Sequence, residues 1–437
     1  MTASALLEIE AADFAPRFGK VRSVSSGLIE ASGPDGVIGE ICAIEGGSRE
    51  NPVLAEIVAL DESRVLLSPL DSTCTVPLRS RVIALGQGST VPIGDAFAGR
   101  AVDAFGQKID GRDSLRTTAR HPLQGIVPAP LERSAPTTVA VTGIKAIDGL
   151  LTLGRGQRIG IIAASGVGKT SLMEQLATQT QADHVILCLV GERGREVQSI
   201  WRSVETRKDR DRFTIVAATS DESAAHRVRA PSFALALAEH WRSKGRHVLL
   251  FVDSVTRLAM ALREIGLAAG SPPTVRAYTP NVFSALPRMV ERCGALIAGG
   301  AITAVMTVLS ETDDADDPIV ELMKSLLDGH IILSRVIAEQ GRFPAIDVIR
   351  SVSRGIEKRI EPSHAQAHRE LIAMLSTYEE SRVMVETGAY RGGTNPILDR
   401  AIHKHKPAQD FLSQGMEQAV PFEQSVAELC ALARTNP

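Results

Sequence analysis

One stretch limits what this chain can be more than any other. From Gln157 to Leu172 it reads QRIGIIAASGVGKTSL: a short apolar run (Ile159, Ile161, Ile162), a loop of small residues, then the opening of a helix. The loop fits the relaxed phosphate-loop pattern. Ala163 is followed by Ala164, Ser165, Gly166 and Val167, then by Gly168-Lys169-Thr170 and Ser171. Gly166 and Gly168 let the backbone bend so that successive N–H groups point into one cavity, and the following helix adds its positive end. Lys169 would reach the β- and γ-phosphates, and the Thr170 hydroxyl would ligate Mg²⁺. The strict pattern opens with Gly where this chain has Ala163, and one methyl is compatible if that residue keeps a negative φ. The plain alternative is a glycine turn met by chance. The order strand, loop, helix instead favours a nucleoside-triphosphate site.

A chain of 437 residues exceeds one ordinary core and points to two or three domains. A net charge of −3 argues against a protein built around nucleic acid, and 4% aromatic residues leave few platforms for stacking bases. No apolar run approaches the length of a membrane span. The opening MTASALLEIEAADFAPRF carries acids early and lacks the basic start of a secretory leader. Cys42, Cys74, Cys188, Cys293 and Cys430 are scattered and without metal-ligand spacing. They read as buried free thiols of a cytoplasmic protein.

Texture divides the chain into four parts. Residues 1–18 mix apolar and acidic residues, as a frayed terminus or a docking segment would. Residues 19–86 hold five or six short β-rich runs between Gly, Pro and Asp, the pattern of a small barrel or sandwich. From 87 to 357, a Gly/Pro-rich connector leads into near-continuous apolar strands alternating with amphipathic helices, hence an α/β domain with a parallel sheet covered on both faces. Residues 358–437 read as helical.

Two further places carry candidate chemistry. HVLLFVD, His247 to Asp253, is a buried strand ending in an acid. In a phosphate-loop protein that layout delivers Asp253 to Mg²⁺, although a strand-terminal Asp is also a common helix cap. At the end of HVILCLV comes Gly191-Glu192-Arg193-Gly194-Arg195-Glu196. A carboxylate there can polarise an attacking water, so Glu192 is the candidate base and Arg193 a phosphate-side cation; a solvated charged loop is the alternative.

With these residues in view, a resemblance becomes specific. GIKAIDGLLTLGRGQRIGIIAASGVGKTSL, VGERGREV and LLFVDSVTRLAMALREIG resemble the ATPases related to the ATP synthase catalytic subunit. SPPTVRAYTPNVFSALPRMVERCG is similar to the segment that sets apart the export ATPases of type III secretion, flagellar and injectisome alike. The likeness runs from about Lys20 to Ile402. It implies a RecA-like core, an N-terminal β-barrel crowning a ring, and ATP and Mg²⁺ as ligands. Residue by residue, it implies that Lys169 and Thr170 meet phosphate and metal, Glu192 is the catalytic carboxylate and Asp253 the metal-side acid. Arg193 and Arg257 fall where the family has phosphate-side arginines. Arg354, in SVSR, falls where the neighbouring subunit supplies an arginine finger. Phe343 falls where the adenine stacks, a Tyr in the synthase subunits. A homohexamer is implied, with a stator-like regulator, a central stalk-like protein, export substrates and chaperones, and peripheral attachment to a membrane export gate.

Three other features are discounted. GRGQRIG, Gly154 to Gly160, precedes the strand and reads as a turn. The acids Asp313, Asp314, Asp316 and Asp317 lack the alternation of a calcium loop and read as the lead into a helix near Pro318. His403-Lys404-His405-Lys406 reads as a solvated helix end. Rival functions are a rotary ATP synthase subunit, a non-catalytic ring member and an RNA translocase. The PPTVRAYTPNVF segment, Glu192 and an N-terminal region with no aromatic beyond Phe14 and Phe18 speak against them in turn.

Overall fold

The computed structural model describes residues 17–25, 27–48, 51–70, 75–117, 119–310 and 317–434. The N-terminal docking segment and acids 313, 314 and 316 therefore lie outside the described residues. Two compact units share the chain discontinuously. One takes the chain up to Ile126, with Cys188–Leu237 and Arg257–Leu286; the other takes Val127–Leu187, Ala238–Thr256 and the chain from Pro287 onward.

In the first unit, β1 (Phe18–Ser25), β2 (Leu28–Ala31), β3 (Ile41–Ser48), β4 (Asn51–Leu60), β5 (Val65–Pro69) and β6 (Arg81–Gln87) close into a barrel in the order β1-β2-β5-β4-β3-β6. Its interior is filled by the inward residues of alternating strands: Val21, Ile29, Cys42, Ile44, Ala55, Ile57, Leu67 and Val82. The stretch after it is more than a connector. β7 (Thr90–Pro92) pairs with β9 (Arg120–Pro122), while β8 (Arg100–Val102) lies parallel to the later strand β13 (Phe213–Thr219). A three-residue strand has no periodicity to read, so the sequence pattern there is that of a connector with turns.

The second unit holds β10 (Arg133–Ser134), β11 (Arg158–Ala163), β14 (His247–Asp253), β15 (Gly294–Leu296), β16 (Ala301–Leu309), β17 (Gly329–Leu333) and β18 (Ile346–Ser353). β12 (His184–Glu192) carries the chain from this unit into the first at Cys188. Here β11 lies between β16 and β17 and parallel to both, β14 adds parallel to β16, and β18 closes the edge antiparallel to β17. The expected parallel sheet is present, with β18 antiparallel at one edge and the short β15 and β10 added antiparallel beside β16. Every residue of β14 is buried, as its unbroken apolar run requires. One helix is longer than its apolar pattern implied: it runs from Ala224 to Ser243 with Pro231 inside it.

Helices Pro362–Glu386, Pro396–Leu412 and Phe422–Arg434 form the C-terminal part, burying Leu371, Leu375, Leu398, Phe411 and Leu429. The His-Lys-His-Lys run sits inside the second of these helices and is not a solvated end. Lys404 is 3% exposed and its Nζ donates to the carbonyls of Leu432 and Ala433, at 2.7 and 2.8 Å. The last carbonyls of helix Phe422–Arg434 lack helical partners, and a buried ammonium satisfies two of them. Asp317 does lead into a helix, Pro318–Leu326, and its carboxylate accepts from the N–H groups of Ile319 and Val320. Cys42, Cys188 and Cys293 are buried and in no disulfide, as expected, whereas Cys430 is only half-buried and Cys74 lies outside the described residues; burial pushes Cys42 and Cys293 up to about 12. Among the described residues no helix is long and apolar enough to cross a membrane.

Candidate nucleotide site

The site begins where β11 ends. Ala163 is its last residue, in register with Leu309 and Leu333, so its backbone is extended and the alanine costs nothing there. Gly166 (φ +82°) and Gly168 (φ +95°) hold the left-handed conformation that the turn needs. A side chain at Gly166 would meet nothing within 4 Å, so the loop faces open space of the kind a phosphate needs. Helix Lys169–Gln179 then starts with its first N–H groups at the loop. Val167 is buried and anchors the turn, while Ser165 and Thr170 are exposed.

Asp253 ends β14 at 3% exposure. Its Oδ1 accepts from the Lys169 ammonium and from the Thr307 hydroxyl, the latter at 2.6 Å. Two predicted residues thus meet, and one was missed. Thr307 stands in AITAVMTVL, where Thr303 and Thr307 are the polar residues in a buried apolar strand. That rarity was the available signal, because a buried hydroxyl must find a partner. Phe343 lies beside the loop: its ring carbons are 3.8 Å from where a Cβ on Gly168 would sit, and 47% of its surface is exposed. Arg354 follows β18, is exposed, and donates from Nη2 to the Lys324 carbonyl at 3.2 Å.

Glu192, Arg193 and Arg257 belong to the first unit. Glu192 ends β12, half-buried, with its carbonyl accepting from Ser220 N–H at 3.0 Å. Arg193 precedes helix Gly194–Glu205 in an extended conformation and is exposed. A side chain on Gly191 (φ +69°) would meet the Arg257 stem at 3.1 Å, so Gly191 lets Arg257 pass close to the end of β12.

A strand-loop-helix cradle with a Lys169–Asp253 pair at its base is that of a phosphate-loop nucleoside-triphosphate-binding protein, and comparison with known proteins narrows it. Residues 143–353 match the model of the ATP synthase alpha/beta family nucleotide-binding domain and residues 21–86 that of its beta-barrel domain. Residues 360–431 match the T3SS EscN ATPase C-terminal domain, which carries the likeness past Ile402, where the residue-by-residue reading had ended. The flagellum-specific ATP synthase of Bacillus subtilis is 41% identical, over 97% of both chains. The type 3 secretion system ATPase of Xanthomonas euvesicatoria is 40% identical, over 95% of this chain and 94% of that one. Among solved structures, the assembled ATPase EscN from the type III secretion system of enteropathogenic E. coli matches with a TM-score of 0.90 and 36% identity. That match covers 95% of this chain and all of that chain. The chain belongs to the flagellar and type III secretion export ATPases, the export branch of the ATP synthase alpha/beta family. It is an ATPase of protein export and not a rotary synthase subunit.

Proposed function

We propose that the chain works as a ring, a homohexamer, in which each ATP site is completed by the neighbouring copy. Lys169 and the loop 163–171 hold the phosphates, and Thr170 and Asp253 hold Mg²⁺. Glu192 positions the attacking water, Arg193 and Arg257 balance charge, and Phe343 stacks on the adenine. Arg354 reaches the site of the adjoining copy. The donor set fits a hard divalent cation, since a hydroxyl and a carboxylate are the oxygen ligands Mg²⁺ takes beside phosphate. When bound, Mg²⁺ would neutralise charge on the phosphates. The four-part division at 18/19, 86/87 and 357/358 belongs to the same reading.

The observation that supports the ring reading is Arg354, an exposed guanidinium just past the edge strand β18. EscN has been solved assembled and in complex with its central stalk EscO, which supports a stalk partner here as well. A stator-like regulator, substrates with their chaperones, and a cytoplasmic position at the membrane export gate complete the proposal.

Mixing two dead variants tests it. Lys169→Ala and Arg354→Ala should each lack turnover, while an equimolar mixture should regain activity at the interfaces where a sound loop meets a sound arginine. That is about a quarter of interfaces for random assembly into closed rings. A mixture as inactive as its components would defeat the shared site.

A further inference from the structure

Past helix Pro396–Leu412 the chain crosses back over the nucleotide unit in a short loop, and Gln414 is its buried centre at 7% exposure. Its backbone N–H donates to the carbonyl of Phe343 at 2.8 Å. Its side-chain oxygen accepts from Lys145 N–H at 2.8 Å, and its amide nitrogen donates to the Gly143 carbonyl at 2.7 Å and to the Gln418 carbonyl. The Gly143 carbonyl also accepts from Val420 N–H at 3.0 Å. Gly143 (φ +75°) permits this approach, since a Cβ there would stand 3.2 Å from Gln179 and 3.4 Å from Ala419. The helix that opens at the phosphate loop grips the same loop from its far end, where Gln179 donates to the Met416 carbonyl at 2.7 Å.

We infer that Gln414 is a positioning residue for the base end of the ATP site: it fixes the backbone at Phe343 and so sets where that ring lies beside the loop. The inference rests on the reading of Phe343 as the base-stacking residue. An amide with both ends engaged inside a fold resists displacement, because any shift leaves buried donors and acceptors unpaired. Lys145 and Gly143 precede the phosphate-loop strand, Gln179 ends the phosphate-loop helix, and Phe343 lies between β17 and β18. The C-terminal loop meets all three: the Gln414 side chain anchors the loop on Lys145 and Gly143, its backbone N–H holds Phe343, and Gln179 reaches the loop at Met416. No nucleotide motif reaches Gln414, which lies 245 positions after Lys169 (414 minus 169).

Gln414→Met, similar in length but without the amide, should raise the KM for ATP about tenfold with kcat within about twofold, the mark of lost ground-state binding at the stacking end. Inorganic tripolyphosphate, which carries phosphates without a base, should inhibit wild type and variant equally. A merely structural role would weaken both ligands. Phe343→Ala should raise KM by at least as much, and adding Gln414→Met to it should change little, because both changes act on one contact. If Phe343→Ala leaves KM unchanged, the base-stacking reading falls and the inference with it. If Phe343→Ala raises KM while Gln414→Met does not, or the two effects add in full, Gln414 has no positioning role. Should Gln414→Met fail to fold, Gln179→Leu keeps the question open to test. Loosening the same loop from its edge should raise KM by about threefold and spare tripolyphosphate, and an unchanged KM would count against the inference.

Discussion

At the phosphate end of the site, Asp253 is 3% exposed and takes hydrogen bonds from Lys169 and Thr307, whereas at the rim Phe343 is 47% exposed and Arg354 lies open on the surface. The buried end is set by the chain's own packing. An apolar strand ends in a carboxylate that burial would penalise if it stood alone, so its neighbours had to supply donors. No such pressure acts on the rim, whose exposed arginine and ring gain little from their own fold. Groups that folding does not need are kept for what they meet, so rim substitutions should cost rate and spare stability, while buried clusters away from the phosphate loop and Asp253 should do the reverse.

The sharpest contrast lies in Arg354→Ala. Turnover should fall by ~10³–10⁵, the range of an arginine finger, with nucleotide affinity within about twofold and an unchanged melting temperature. A melt lowered by several degrees would place Arg354 among the structural groups and break the comparison. Next in size is Glu192→Gln, half-buried and so intermediate between the classes. It should lose ~10²–10⁴ in kcat, with nucleotide binding retained in a filter or fluorescence assay. Full turnover would remove Glu192 from the chemistry.

The buried class shows its effect through pH. His247 opens β14 with one ring nitrogen 3.1 Å from the Gln181 carbonyl and the other 2.8 Å from the Thr303 hydroxyl, which in turn accepts from Gly156 N–H. A neutral ring that donates to Gln181 and accepts from Thr303 satisfies every group. Burial, with Arg155 nearby, pushes its pKa from 6.5 to about 4. Above pH 6.5 both folded and unfolded chains hold it neutral; between 6.5 and 4 the unfolded chain binds the proton and the folded one does not, so stability falls with acid. From pH 7.5 to 5 the loss should be about 2 kcal/mol for this residue. His226 is also pushed down to about 4 by burial and adds its own part. His247→Gln should flatten the unfolding midpoint against pH relative to wild type, leaving the KM for ATP unaltered. Parallel curves would show that the ring is not held neutral.

The same division explains which features the sequence made visible. The strand 158–163, its loop and the acid at 253 are local patterns in which the spacing itself carries the physics, so they appear in the structure at the expected places. The barrel follows from alternation and turns. Invisible were contacts between residues far apart in the chain: Thr307 on Asp253, Gln414 on Phe343, and the edge strand Arg100–Val102 on Phe213–Thr219. None has a periodicity of its own, because each is defined by a partner that only the fold brings near. Lys404 misled for the same reason, since a lysine between histidines looks solvated until another helix end is laid against it.

That lysine supplies the smallest test, and it belongs to the buried class despite its charge. Its ammonium bonds two carbonyls at the end of helix Phe422–Arg434, and burial draws its pKa down, so the fold holds the charge there against a desolvation cost. Lys404→Met keeps most of the stem and removes the ammonium from the Leu432 and Ala433 carbonyls, the latter retaining Arg400 Nη2 at 2.9 Å, at a helix terminus where a cation is favoured. The expected cost is about 1–3 kcal/mol, read as faster amide exchange in the last turn of that helix and a lower melting temperature. The KM for ATP and kcat should stay within about twofold of wild type, because the cap serves the C-terminal helices and touches none of the site residues. A variant that kept its exchange protection and lost turnover would move Lys404 across the dividing line.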